Sequence, residues 1–133
     1  MSSYKDLTVW KKSIEFVKKI YKTTTHFPES EKFGLVSQMR RSAISIPSNI
    51  AEGALRSSKR DFYKFLRIAK GSLAELETQL IISHKLDFIG DDEFNALSDE
   101  LKEISKMLAG LAKSLRVSTN NSKLITDNSN PCI

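Results

Sequence analysis

Arg60, Lys64 and Arg67 stand four and three residues apart in a stretch of helical apolar spacing. At about 100° per residue their side chains fall within about 60° of one another on one helix face. Arg56, Lys59 and Lys70 flank them. Cations in such a stripe can follow a line of phosphates, a chemistry that gives affinity but little sequence information. Lys11 and Lys18, with Lys12, Lys19 and Lys22, add positive charge on an earlier helix, and Arg40 and Arg41 on the next. The net charge of +5 hides a split, because residues 1–70 hold 15 Lys/Arg against 6 Asp/Glu while residues 71–133 hold 6 against 10. A basic half attracts polyanions at long range. The solvated outer face of a helix bundle carries the same pattern, and the charge alone leaves both readings open. Tyr63 is the only aromatic residue near the stripe that could stack on a base, so backbone contact is favoured over base readout.

Residues suited to covalent or metal chemistry are sparse. His26 and His84 lack the Glu-x-x-His spacing from which helical bundles build di-metal sites. Cys132, the only cysteine in 133 residues, has no helix N-terminus or basic neighbour to favour its thiolate, and one cysteine allows no internal disulfide. Glu75 and Glu77 are two residues apart on a helix and face different directions, so they are not an acid/base pair. Neither a Gly-rich phosphate loop nor an H-E-x-x-H motif is present. The sequence reads as a non-enzyme with no cofactor and no metal. It lacks a run of ~18 apolar residues that could span a membrane, and its start has no secretory-signal profile, so a cytoplasmic location is expected.

The elements that would carry these residues are four helices. The first is expected over Tyr4 to Thr25 with Leu7, Trp10, Ile14, Val17 and Tyr21 facing inward, ended by Phe27-Pro28-Glu29-Ser30. Ser30 is a candidate cap for the second, Glu31 to Leu55, whose Met39, Ala43, Ile46 and Ile50 share a face. Pro47 interrupts that face and removes the N–H that would bond the Ala43 carbonyl, which predicts a kink held by neighbours. Ser58-Lys-Arg-Asp61 resembles a capping box opening the third helix, Lys59 to Leu86, with Phe62, Leu66, Ala69, Leu73, Leu76, Leu80 and Ser83 inward. Gly90-Asp91-Asp92 turns into the fourth, Asp92 to Leu115, with Phe94, Leu97, Leu101, Ile104, Leu108, Leu111 and Leu115 inward. Heptad spacing with short connections predicts an all-α, up-down-up-down four-helix bundle with a Pro-kinked second helix over residues 1–116. Residues 117–133 read as a polar, disordered tail.

Two helices carry more apolar surface than one seam needs. Val9, Phe16, Ile20 and Phe27 form a second stripe about 100° from the first on helix one. Phe65, Ile68 and Ile82 lie off the seam of helix three. Val9, Phe16, Ile20, Phe65 and Ile68 are therefore expected at an interface between copies of the chain, although a wide core-facing stripe would give the same pattern. Gly71, mid-helix and opposite the seam, is expected to admit a backbone from outside the bundle, and Gly53 to allow a helix end or a close approach. Asn49 and Glu52 flank the proline and read as donors or caps for backbone left unpaired there.

The segment Arg40-Arg-Ser-Ala-x-Ser-Ile-Pro-Ser-Asn-Ile-Ala-Glu-Gly53 resembles a signature of the bacterial four-helix-bundle family named after proteins encoded in 23S rRNA intervening sequences. Phe65-Leu-x-Ile-Ala-x-Gly-Ser-Leu-x-Glu-Leu-Glu-Thr78 resembles that family's second signature, and the likeness spans about residues 4–116. The family is also similar to the accessory variability determinant of diversity-generating retroelements. The resemblance implies a homopentameric ring with a basic surface suited to RNA, or to a reverse transcriptase or other protein partner. The residues that match its motifs, Arg40, Arg41, Pro47, Asn49, Glu52, Gly53 and Gly71 among them, are expected to be structural. The RNA contacts expected from the charge pattern are Arg56, Arg60, Lys64 and Arg67, with Lys11 and Lys18.

Overall fold

The structure, a computed structural model, describes residues 3–119. Four helices dominate it: α1 (Thr8–Thr24), α2 (Leu35–Ala54), α3 (Lys59–Lys85) and α4 (Asp91–Thr119). Single 3-10 turns occupy Tyr4–Asp6 and Glu29–Glu31, and the described residues form no strand. Each helix packs on the next in the chain, and α4 closes back on α1. Contacts along the seams set the directions. Met39 meets Ser83, Ser45 meets Ser72 and Gly53 meets Phe65, so α2 and α3 are antiparallel. Lys12 pairs with Glu103, Lys19 with Glu100 and Thr23 with Glu93, so α1 and α4 are antiparallel too. The fold is the expected all-α four-helix bundle.

The inward positions of three helices follow the four-and-three spacing. Met39, Ala43, Ile46 and Ile50 of α2 are buried, as are Leu66, Ala69, Leu73, Leu76, Leu80 and Ser83 of α3. Leu97, Leu101, Ile104, Leu108 and Leu115 of α4 complete the set. Helix α1 departs from expectation. Its core face is the second stripe, Val9, Phe16, Ile20 and the following Phe27, while Leu7, Trp10, Ile14 and Val17 are half-buried and Tyr21 is exposed. The buried stripe is interrupted by Ser13, Thr23 and Thr24, polar residues that make it read as the secondary stripe in the sequence. These hydroxyls are paired, Ser13 Oγ to the Trp10 carbonyl (2.9 Å), Thr24 Oγ1 to the Ile20 carbonyl (2.7 Å) and Thr23 Oγ1 to Glu93 (2.7 Å), so burying them leaves no unmet donor.

The ends of the helices are set by local chemistry. Ser58 Oγ accepts from the Asp61 amide at 3.1 Å and starts α3 as its cap. Ser30 does not cap α2, which starts later, at Leu35, where Glu31 Oε1 accepts from the Leu35 amide at 3.2 Å. Helix α3 ends with Asp87 in the left-handed region (φ 63°), and the Phe88 amide returns to the Ser83 carbonyl at 2.9 Å. Helix α2 continues through Pro47 to Ala54, so the expectation of a bend there rests on the missing amide alone. Helix α4 runs past the expected boundary at residue 116 to Thr119, and the rest of the expected tail, with Cys132, lies outside the described residues. No helix among the described residues is long and apolar enough to cross a membrane.

Candidate nucleic-acid interface

The Ser58 cap places Lys59 and Arg60 in the first turn of α3, where they add to the partial positive charge of the helix N-terminus, opposed locally by Asp61. Arg60 and Lys64 are exposed and Arg67 is half-exposed on the outward face that follows. None of the three has a carboxylate within ion-pair distance among the described residues. Arg56 is held by two contacts, its Nη2 at 3.0 Å from Glu52 Oε2 and its guanidinium 4.8 Å from the Phe65 ring centre. Four cations thus line the α2–α3 turn and the N-terminal half of α3.

Lys11 and Lys18 do not join them. Helix α1 packs on α2 and α4, which places it diagonally across the bundle from α3. The outer faces of α1 and α3 therefore point away from each other, and Lys11 and Lys18 lie on the far side of the bundle. Their neighbours Lys12 and Lys19 are spent on Glu103 and Glu100 of α4, and Lys18 lies 3.4 Å from Glu15. Tyr63 is buried in the core, so it cannot stack on a base. The candidate surface on α3 is therefore electrostatic only.

The interface residues expected between copies need correction. Val9, Phe16 and Ile20 are core side chains and have no surface to offer a partner. Phe65 is half-buried in the α2–α3 contact beneath Arg56. Ile68, half exposed, is the one member of the set that points outward. The stripe expected in the core instead lines an open apolar groove of about 280 Å³ between α1 and α2, where Trp10, Ile14 and Val17 face Ile44, Pro47 and Ala51, with Tyr4 and Ser48 also in the lining. The sequence signalled two stripes on helix one, and the groove follows from exchanging their roles.

The motif residues converge on the helix contacts. A Cβ on Gly53 would lie 2.7 Å from Phe65 Cβ and 2.9 Å from Phe62 Cδ1, so this position holds α2 and α3 close. Asn49 Nδ2 donates to the Ser45 carbonyl (2.8 Å) and Ser45 Oγ (2.9 Å), and Ser45 Oγ meets Ser72 Oγ at 2.7 Å across the seam. Asn49 thus serves the Ser45 carbonyl rather than that of Ala43. Arg40 closes the C-terminus of α1, with Nε donating to Thr24 Oγ1 (2.9 Å), Nη2 to the Tyr21 carbonyl (3.3 Å) and the guanidinium over the Tyr21 ring. Arg41 is exposed. Gly71 is exposed, and a Cβ there would meet nothing within 4 Å. His84 stacks on Phe94 at 4.2 Å and bonds Asp91 Oδ1 at 2.7 Å, a turn-closing role, and His26 is exposed. No grouping of His, Cys, Asp and Glu among the described residues could hold a metal ion.

This geometry coincides with a family match. The sequence model of the 23S rRNA-intervening sequence protein family matches residues 5–110, most of the bundle. The chain belongs to that family. A crystal structure of a protein of unknown function from the S23 ribosomal protein family of Bacteroides thetaiotaomicron VPI-5482 is similar to it. The two share 30% identity over 80% of this chain and 99% of the other, with a TM-score of 0.72. No curated protein matches this member of the family.

Proposed function

We propose that this family member is a non-enzymatic, self-associating cytoplasmic bundle that binds RNA, or a complex containing RNA, through the outer face of α3. The observation that carries the reading is the set Arg60, Lys64 and Arg67, exposed or half-exposed on one face and without a carboxylate partner among the described residues, while the α1 lysines nearest α4 are neutralised by it. A phosphate backbone supplies the missing anions and asks for no base-specific geometry. Copies of the stripe in one assembly would add weak contacts through avidity. The experiment is to purify the protein from its host at low salt, sequence the RNA that comes with it, and repeat with Arg60→Glu/Lys64→Glu. Defined RNA enriched with the wild type and lost with the double variant is expected. RNA recovery equal for both would move the site, and none for either would defeat the reading.

A second reading, an adaptor for a protein partner such as a reverse transcriptase, draws on the open α1–α2 groove, because an apolar groove of this kind suits a helix better than a phosphate. Its binding would be nearly insensitive to salt.

A further inference from the structure

Resting on the RNA reading above, we infer that the α2–α3 turn carries a stacking platform for one unpaired nucleobase, with the Arg56 guanidinium as its plane. The class of RNA this selects has a bulged, looped or overhanging nucleotide beside a run of phosphates. Arg56 differs from the other cations of the surface. Arg60, Lys64 and Arg67 have no carboxylate within ion-pair distance among the described residues, whereas Arg56 Nη2 lies 3.0 Å from Glu52 Oε2. Asp61 stands one turn before Phe65 on the same side of α3 and adds a second carboxylate to this flank. A phosphate gains least here. Arg56 is instead held in orientation, with its guanidinium carbon 4.8 Å from the centre of the Phe65 ring, within cation–π range, and Glu52 at one edge.

The ring beneath is fixed as well. Gly53 lets α2 approach so closely that a Cβ there would lie 2.7 Å from Phe65 Cβ, and Phe65 is half-buried in that contact. With Phe65 on one face and Glu52 at the edge, Arg56 keeps its second face for solvent, and its side chain is 46% exposed. A delocalised, weakly hydrated guanidinium plane stacks on flat π systems. A nucleobase is the flat group that a phosphate chain brings with it, and unpaired bases stack on arginine planes in this way. Leu55, the preceding residue, is 75% exposed and gives the turn apolar surface that a base can cover. Phe65 and Lys64 are consecutive on α3 and so about 100° apart around it. A strand crossing that interval carries its phosphates over Lys64 and Arg60 and leaves one base for Arg56. Every base has a π-face, so the platform selects unpaired nucleotides without selecting a sequence.

The test compares two hairpin RNAs of equal length, one with a single-nucleotide bulge in its stem and one with an abasic residue at that bulge, so that their phosphates are equal in number. Each is titrated at two salt concentrations with the wild type, Arg56→Lys and Phe65→Leu, with folding checked by circular dichroism. The wild type should bind the bulged RNA about five-fold more tightly than its abasic twin. The ratio should be the same at both salts, because the base releases no counterion. Arg56→Lys keeps the charge and removes the plane, while Phe65→Leu keeps an apolar side chain and removes the ring that holds the plane. Each should bring the ratio to about one. A wild-type ratio near one, or a ratio that either variant preserves, would overturn the platform and leave the phosphate contacts of Arg60 and Lys64 standing. No binding of either RNA by the wild type at low salt would defeat the RNA reading and the platform with it.

Discussion

Gly53 and Gly71 allow one chemical change, glycine to alanine, to be tested in two opposite environments. At Gly53 a methyl group would lie 2.7 Å from Phe65 Cβ, 2.9 Å from Phe62 Cδ1 and 3.3 Å from the Phe62 carbonyl oxygen. Phe65 Cβ is anchored to the α3 backbone and cannot swing aside, so α2 and α3 must separate. Overpacking of this kind costs about 1–3 kcal/mol, and alanine returns about 1 kcal/mol of helix propensity, leaving Gly53→Ala destabilised by up to about 2 kcal/mol. At Gly71 the methyl group meets nothing within 4 Å, so only the propensity gain remains and Gly71→Ala should be stabilised by about 0.5–1 kcal/mol. Urea denaturation followed by circular dichroism measures both. It should be run at a concentration low enough to keep the chain dissociated, since assembly adds stability by mass action. Equal urea slopes confirm that the folded and unfolded states are comparable. Gly53→Ala at or above wild-type stability, or Gly71→Ala clearly below it, would refute the packing argument.

Leu101→Ala removes a side chain buried in α4 and should cost about 2–5 kcal/mol in the same assay; a loss under about 0.5 kcal/mol would contradict its place in the core. Phe16→Glu, in the core, should abolish helical circular dichroism, whereas Ile68→Glu on the surface should keep it and lower only the assembled mass. Asp87→Gly should raise stability by about 0.5–1 kcal/mol, because glycine adopts φ 63° freely and the change removes an anion from the C-terminus of α3; a lower melting temperature would refute that.

The parts of the fold legible in the sequence were those where burial and apolarity coincide. Leu66, Leu73, Leu76 and Leu80 of α3 and Leu97, Leu101, Ile104 and Leu108 of α4 mark their core faces directly. On α1 the coincidence fails, because Ser13, Thr23 and Thr24 enter the core with their hydroxyls already paired, while Trp10, Ile14 and Val17 stay half open. Spacing detects two stripes and cannot rank them, so from spacing Phe16 and Ile20 read as interface and Trp10 as core. The basic face of α3 was legible as a stripe, since Arg60, Lys64 and Arg67 are neighbours on one helix. That Lys11 and Lys18 lie across the bundle depends on which helices are adjacent, which spacing within a helix does not encode. The burial of Tyr63 escapes spacing for a related reason: it stands to one side of the seam, where burial depends on the neighbouring helix.

The most direct measurement of the central claim is a titration of the protein with a short structured RNA at two salt concentrations, comparing wild type with Arg60→Glu/Lys64→Glu. For each engaged protomer, losing two phosphate contacts should flatten the slope of log affinity against log salt by about 1.4 to 1.8 and weaken binding to unrelated RNAs alike. Equal affinity and equal slope for the two proteins would place any RNA site elsewhere. No binding by the wild type even at low salt would contradict the account and leave the apolar groove as the functional surface.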